Sequence, residues 1–218
     1  MVSRRFLVEL FEQEAKPKGW CMDEEDFPPD IAEEVFPHPH NIFKALALIS
    51  PRDVNFVILG QDPYFTSTDG VPDATGVAFA ISSARAKKPQ SLIRILKKVY
   101  HGNIGNPELT DWITERGVLL LNAALTVPAG NSRKFAGAHL KDGRWNKFVG
   151  SIISQVRRAN PDAVLIAWGN KTRAVLKNVL GNEDDFLWAH HPVASTAGIG
   201  SFEHFWEREE VKQLPMPQ

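Results

Sequence analysis

Cysteine is almost missing from this chain. Cys21 is the only one in 218 residues, which excludes an internal disulfide and leaves too few thiolates for an iron–sulfur cluster or a cysteine-built zinc site. A reducing compartment, cytoplasmic or nuclear, suits that composition. Excess charge is missing too: 25 Lys and Arg face 26 Asp and Glu, a formal net charge of -1, so nothing global draws the chain to polyanions or membranes. No apolar run approaches membrane-spanning length. The amino terminus, MVSRRFLVELFEQE, breaks its apolar stretch with charges, unlike a secretory leader. Neither a GxGxxG nor a P-loop occurs, and no repeat, low-complexity tract or linker divides the sequence. Residues 1–218 are therefore expected to form one domain around one core.

What is present is an alternation. Four short apolar runs, at 54–59, 118–121, 163–168 and 186–189, read as buried strands. Helical patterns fall between them, near 4–14, 41–49, 90–100, 108–116, 171–180 and 203–212. After Gly143, the apolar residues Trp145, Phe148, Val149, Ile152, Ile153 and Val156 step by three and four, which places all six on one helix face. Such alternation predicts an α/β fold, a three-layer α/β/α sandwich around a four-stranded parallel sheet. The tail from Gln213 to Gln218 reads as a frayed end.

In an open parallel sheet, ligands bind beyond the carboxyl ends of the strands. The unusual polar residues lie there: Gly60-Gln61-Asp62-Pro63-Tyr64-Phe65 after the first strand, Asn122 after the second, Trp168-Gly169-Asn170 after the third, His190-His191-Pro192 after the fourth. Singly, each has an ordinary reading. Asp62 before a proline could cap a turn, Asn122 and His191 could satisfy buried backbone groups, and Tyr64 and Phe79 could be core aromatics. Together, a carboxylate, a carboxamide, an imidazole and two aromatic rings can hold a flat polar heterocycle and stabilise charge beside it.

The same residues carry a family resemblance. Val57-Ile58-Leu59-Gly60-Gln61-Asp62-Pro63-Tyr64 resembles the water-activating motif of family-1 uracil-DNA glycosylases. Further resemblances follow in order: Gly76-Val77-Ala78-Phe79, Gly117 to Asn122 with Leu125-Thr126-Val127, Trp168-Gly169, and His191-Pro192. Phe36-Pro37 and Ile42 to Ala45 extend the similarity upstream, so it covers about residues 36–205. The resemblance implies a monofunctional glycosylase that flips uracil out of DNA and hydrolyses its bond to the sugar. Asp62 and His191 would be catalytic. Asn122 would pair with the uracil edge, Phe79 would stack on the ring, Tyr64 would exclude a C5 methyl, and the Gln61 amide would assist at O2. No metal and no cofactor are required. The implied partners are uracil-containing DNA and a proteinaceous inhibitor, for a chain acting as a monomer.

For DNA, the resemblance points to Pro89-Gln90-Ser91 as a phosphate clamp, to Gly169 with Asn170 in place of the usual serine, and to Ser195 and Thr196. The run from Arg85 to Lys98, with six basic residues and no acid, is either a DNA-facing stripe or a solvated helix face.

Three departures stand out. Phe65 replaces the usual histidine, and the loop 66–75 after it is longer. Ser195 replaces the leucine that wedges into the vacated stack, leaving Ile199 as a substitute. The segment 129–144 is also longer and carries Arg133, Lys134, Lys141 and Arg144, so it is either an added DNA-contacting loop or a solvated insertion. These departures leave two rival readings open: a glycosylase for a bulkier C5-modified pyrimidine, and a DNA-binding homologue with little turnover.

Overall fold

The computed structural model describes residues 1–82, 85, 87–101, 105–130, 133–194, 198 and 200–216. Four parallel strands form the central sheet: β1 (Phe56–Gly60), β2 (Val118–Asn122), β3 (Val164–Trp168) and β4 (Leu187–Ala189), in the order β2-β1-β3-β4. All five residues of β1 and of β2 are buried. A strand covered on both faces has to be apolar throughout, which is why these runs are continuous rather than alternating. Phe56 pairs with both Val118 and Val164, and Trp168 with Ala189. From β1 the chain moves to one side for β2 and then crosses to the other for β3. That reversal opens a crevice at the carboxyl end of β1.

The main helices are α1 (Arg4–Glu14), α2 (Gln90–Val99), α3 (Asn146–Ala159) and α4 (Asn170–Leu180). α1 begins where the Ser3 hydroxyl accepts from the Phe6 amide at 3.1 Å, satisfying one of the open amides of its first turn. On α3 the expected face is the buried one: Phe148, Val149, Ile152, Ile153 and Val156 are inaccessible to solvent, as is Trp145 just before the helix. Among the described residues, no helix is long and apolar enough to cross a membrane.

Three expectations need correction. The 41–49 helix shrinks to Lys44–Ala47, because Pro39 drives a 3-10 turn over Pro39–Asn41 and Ser50, preceding Pro51, is extended. The 203–212 helix splits into Phe202–Phe205 and Glu209–Lys212 around an extended Arg208, a turn that lets both Phe205 and Val211 reach the core. The tail is held, at least to Met216. Leu214 is buried, and the Pro215 carbonyl accepts the indole N–H of the fully buried Trp112 at 2.6 Å, a donor that needs a partner inside the core.

Candidate active site

The polar loops at the strand ends do converge. Gln61, Asp62, Tyr64, Phe79, Asn122 and His191 all line one cavity of about 400 Å³. Gly60 makes the convergence possible. A Cβ there would sit 2.7 Å from Asn122 Oδ1 and 3.0 Å from Phe79 Cε2, so a side chain at the end of β1 would displace both the amide and the ring. Among the described residues no hydrogen bond holds the Asn122 carboxamide, although the residue is only 6% exposed. Packing against the Gly60 backbone, rather than a hydrogen-bonded lock, confines it.

Asp62 is held from two sides. The Gln61 side-chain amide donates to Oδ1 at 2.5 Å and the Gly137 backbone N–H to Oδ2 at 2.6 Å. Burial pushes the carboxyl above its ordinary range, opposed by those two donors and by the charge of Lys171. Each oxygen retains acceptor capacity for a water. The Gly137 contact gives the segment 129–144 a place in the site, since Ala136 also lines the cavity.

His191 is coupled to its own loop. The Val193 N–H points at its Nδ1 at 3.3 Å, which makes Nδ1 an acceptor and assigns the proton of the neutral ring to Nε2. Burial lowers its pKa, so the ring stays neutral at physiological pH. Arg94 braces this loop, its Nη1 donating to the carbonyls of Pro192 at 2.7 Å and Ala194 at 3.3 Å.

The aromatic wall is tied together by one phenol. Tyr64 OH donates to the Phe79 carbonyl at 3.1 Å and lies 3.0 Å from Ser91 Oγ, which leaves the serine as donor. Phe79 takes a left-handed backbone with φ of 65°, a costly conformation for a non-glycine residue. Its ring packs 5.2 Å from that of the fully buried Trp168 and 6.0 Å from His191. Burial pushes the Tyr64 phenol up to about 12.

The longer loop after Phe65 forms a hairpin, Ser67–Thr68 against Val71–Pro72, turning at Asp69-Gly70. It closes on Asp73, a buried carboxylate that accepts from the hydroxyls of Thr66 and Thr68 and pairs with Arg85 Nη1 at 2.6 Å. The Arg85 guanidinium in turn lies 6.0 Å from the centre of the Tyr64 ring. Sequence reasoning passed over Asp73; an acid seven residues after Thr66 carries no local signal. Asp73→Ala is expected to cost about 3 kcal/mol, the low end for severing a buried pair, because Arg85 is left partly exposed. Urea denaturation measures it; a change within 0.5 kcal/mol would show that the loop stands without the pair.

The residues assigned to DNA separate. Pro89 and the exposed Gln90 open α2 and Gly169 and the exposed Asn170 open α4, whereas Ser91 is buried and its hydroxyl is engaged with Tyr64. Of the six basic residues from Arg85 to Lys98, Arg85 and Arg94 are spent on bonds within the chain. Ser195, Thr196 and Ile199 lie outside the described residues. Val193, lining the cavity and 51% exposed, is an apolar side chain at its mouth that sequence reasoning did not single out.

Known proteins resemble this chain in both sequence and fold. The model of the uracil DNA glycosylase superfamily matches residues 47–214. A uracil-DNA glycosylase of Chromobacterium violaceum is 37% identical over 177 residues, 78% of this chain and 70% of that protein, and one of Idiomarina loihiensis is 34% identical over 186 residues, 82% and 81%. Among solved structures, mimivirus uracil-DNA glycosylase superposes with a TM-score of 0.61 at 26% identity, covering 73% of this chain and 57% of that one. A mimivirus variant has also been solved in complex with UGI. The Nitratifractor salsuginis UNG shares the fold, with a TM-score of 0.55 at 19% identity over 96% of this chain and 93% of that one. A superfamily match that runs from ahead of β1 to beyond the His191 loop, with relatives this similar over more than three quarters of the sequence, settles its kinship: the chain belongs to the uracil-DNA glycosylase superfamily.

Proposed function

We propose that this protein excises uracil from DNA, hydrolysing the N-glycosidic bond and leaving an abasic site. The observation that carries this reading is that Asp62, Tyr64, Phe79, Asn122 and His191 face a single cavity at the carboxyl edge of the sheet. The target nucleotide must first leave the stack, because its glycosidic bond is inaccessible inside a duplex. Phe79 then stacks on the extruded ring, and the Asn122 carboxamide pairs with N3–H and O4. Tyr64, pinned at its hydroxyl by Phe79 and Ser91, stands where a C5 methyl would go. A pinned ring opposes the bulkier-pyrimidine reading: release of 5-substituted bases at a rate near that of uracil would overturn the assignment of Tyr64.

Cleavage sends the bond electrons to N1 of the base and leaves an oxocarbenium-like sugar. Asp62 faces that cation as a carboxylate and accepts a proton from the water that adds to C1′. The His191 Nε2–H donates to O2 of the departing base, where negative charge collects. Asp62 must be ionised and His191 neutral, and both conditions fail in acid. Burial raises the Asp62 pKa and lowers that of His191, and the rate is expected to fall on the acid side as these groups take up protons. It should run flat from neutral pH to pH ~9, well below the Tyr64 phenol at about 12. A pH profile of single-turnover release reads this directly, and a fall in rate between pH 7 and 9 would contradict it.

DNA, and at the same mouth a proteinaceous inhibitor, are the partners we infer for a monomeric chain. The amino end of α4 presents Asn170 and Lys171 to a backbone phosphate. Lys171→Ala should lower the slope of log K against log salt by about 0.9, one released counterion; an unchanged slope removes Lys171 from the interface. Val193 is the side chain placed to fill the vacated stack. A Val193→Ala protein should lose more activity on double-stranded than on single-stranded DNA, since only a duplex leaves a hole to fill. Equal losses on both would exclude the wedge.

A further inference from the structure

The longer segment between Ala129 and Arg144 reaches into the site through a backbone group. Gly137, with φ of 70°, brings its N–H to 2.6 Å from Asp62 Oδ2, and a Cβ there would sit 3.0 Å from Lys171 Nζ and 3.3 Å from Gln61 Nε2. Two residues on, at the start of the short helix Ala138–Lys141, His139 is 2% exposed and caught between two partners. Its Nδ1 lies 2.8 Å from Thr126 Oγ1 and its Nε2 2.6 Å from Glu33 Oε1. The directions follow from chemistry. The Trp145 indole can only donate to Thr126 Oγ1, at 2.8 Å, and a carboxylate can only accept. His139 therefore carries its proton on Nε2, and its Nδ1 accepts from the Thr126 hydroxyl. Arg144 Nη1 holds the same Glu33 oxygen at 3.1 Å. The chain Trp145–Thr126–His139–Glu33–Arg144 is complete with a neutral imidazole, the form burial favours. None of these bonds involves the pocket itself. Their common result is a fixed position for the turn that carries the Gly137 amide.

We propose that Glu33 and His139 are positioning residues for Asp62: by anchoring the Ala138–Lys141 helix they deliver the Gly137 N–H to Oδ2 and hold the carboxylate toward the reacting sugar. The proposal rests on the reading of Asp62 above. It assigns the 129–144 segment a part in turnover rather than in gripping DNA. The charged and titratable groups around Asp62 are Lys171 on α4, His139 on the inserted segment, and Tyr64 and His191 across the cavity. Of these only His139 lies on the segment in question.

Glu33→Ala is the informative variant, because the Glu33 side chain is 39% exposed and its removal leaves the core filled. On a uracil-containing single strand, the single-turnover rate should fall at least tenfold while KM stays within twofold. The acid limb of the rate profile should move to higher pH, since Asp62 loses an amide that favours its ionised form. Glu33→Gln, whose carboxamide oxygen can still accept from His139, should recover most of the rate. A fold defect alone would lower the active fraction without moving the limb. A folded Glu33→Ala protein with an unchanged rate and limb overturns the proposal, as does a raised KM at unchanged rate, which would mark a DNA-contacting loop. The wild-type chain is assayed alongside: an inactive wild type overturns the uracil reading together with the proposal, whereas an active wild type beside an unaltered variant overturns the proposal alone.

Discussion

Asp62→Asn is expected to slow uracil release about a thousandfold, with little change in the affinity for uracil-containing DNA. The amide oxygen of an asparagine can still accept from the Gly137 N–H. Its nitrogen cannot accept from the Gln61 side chain, and no charge remains to face the sugar cation or to take a proton from water. The same substitution should leave the fold as stable or more so at pH 7. Folding raises the Asp62 pKa, so the stabilisation from proton binding is present at acid pH and is lost as pH rises through the folded value. At neutral pH the buried carboxylate is therefore a cost that asparagine removes. A variant that retained wild-type turnover would strip Asp62 of its role. One that lost activity through a lower Tm would point to a structural carboxylate.

His191→Leu is expected to cost about a hundredfold or more in the rate of base release, the range seen when one donor to a developing anion is removed. Leucine fills similar space and keeps contact with Phe79, whose ring centre lies 6.0 Å from that of the imidazole. What disappears is the Nε2–H that we propose donates to O2. The variant should also widen the difference between uracil and pyrimidines with better leaving groups, because a base that leaves readily needs less help at its oxygen. If the rate falls equally for good and poor leaving groups, His191 acts on something other than the departing base. His191→Gln, with an amide donor of its own, should recover part of the rate; none recovered would place the contribution in ring packing.

These two effects act on residues that local pattern exposes. The four strands were legible because a strand covered on both faces must be apolar at every position, and the loops at their carboxyl ends announce themselves by placing Asp62, Asn122 and His191 straight after such runs. The face of α3 was legible for a comparable reason, the three-four step of a buried helix. Helix ends near prolines, the split after Phe205 and the anchored tail were not, because each depends on a distant buried surface seeking a partner.

Residue order alone thus specified the parallel sheet, its covering helices and the set of side chains able to meet a flat heterocycle. Tertiary structure decided how that set is held: Gly137 on an acid 75 residues away, Arg94 on a carbonyl 98 residues away, Ser91 turned toward Tyr64 rather than outward, and Asp73 closing a hairpin against Arg85. Periodicity reports on neighbours three, four or two residues apart. Hydrogen bonds across such separations leave no periodic trace, since they form only once the sheet has brought the loops together.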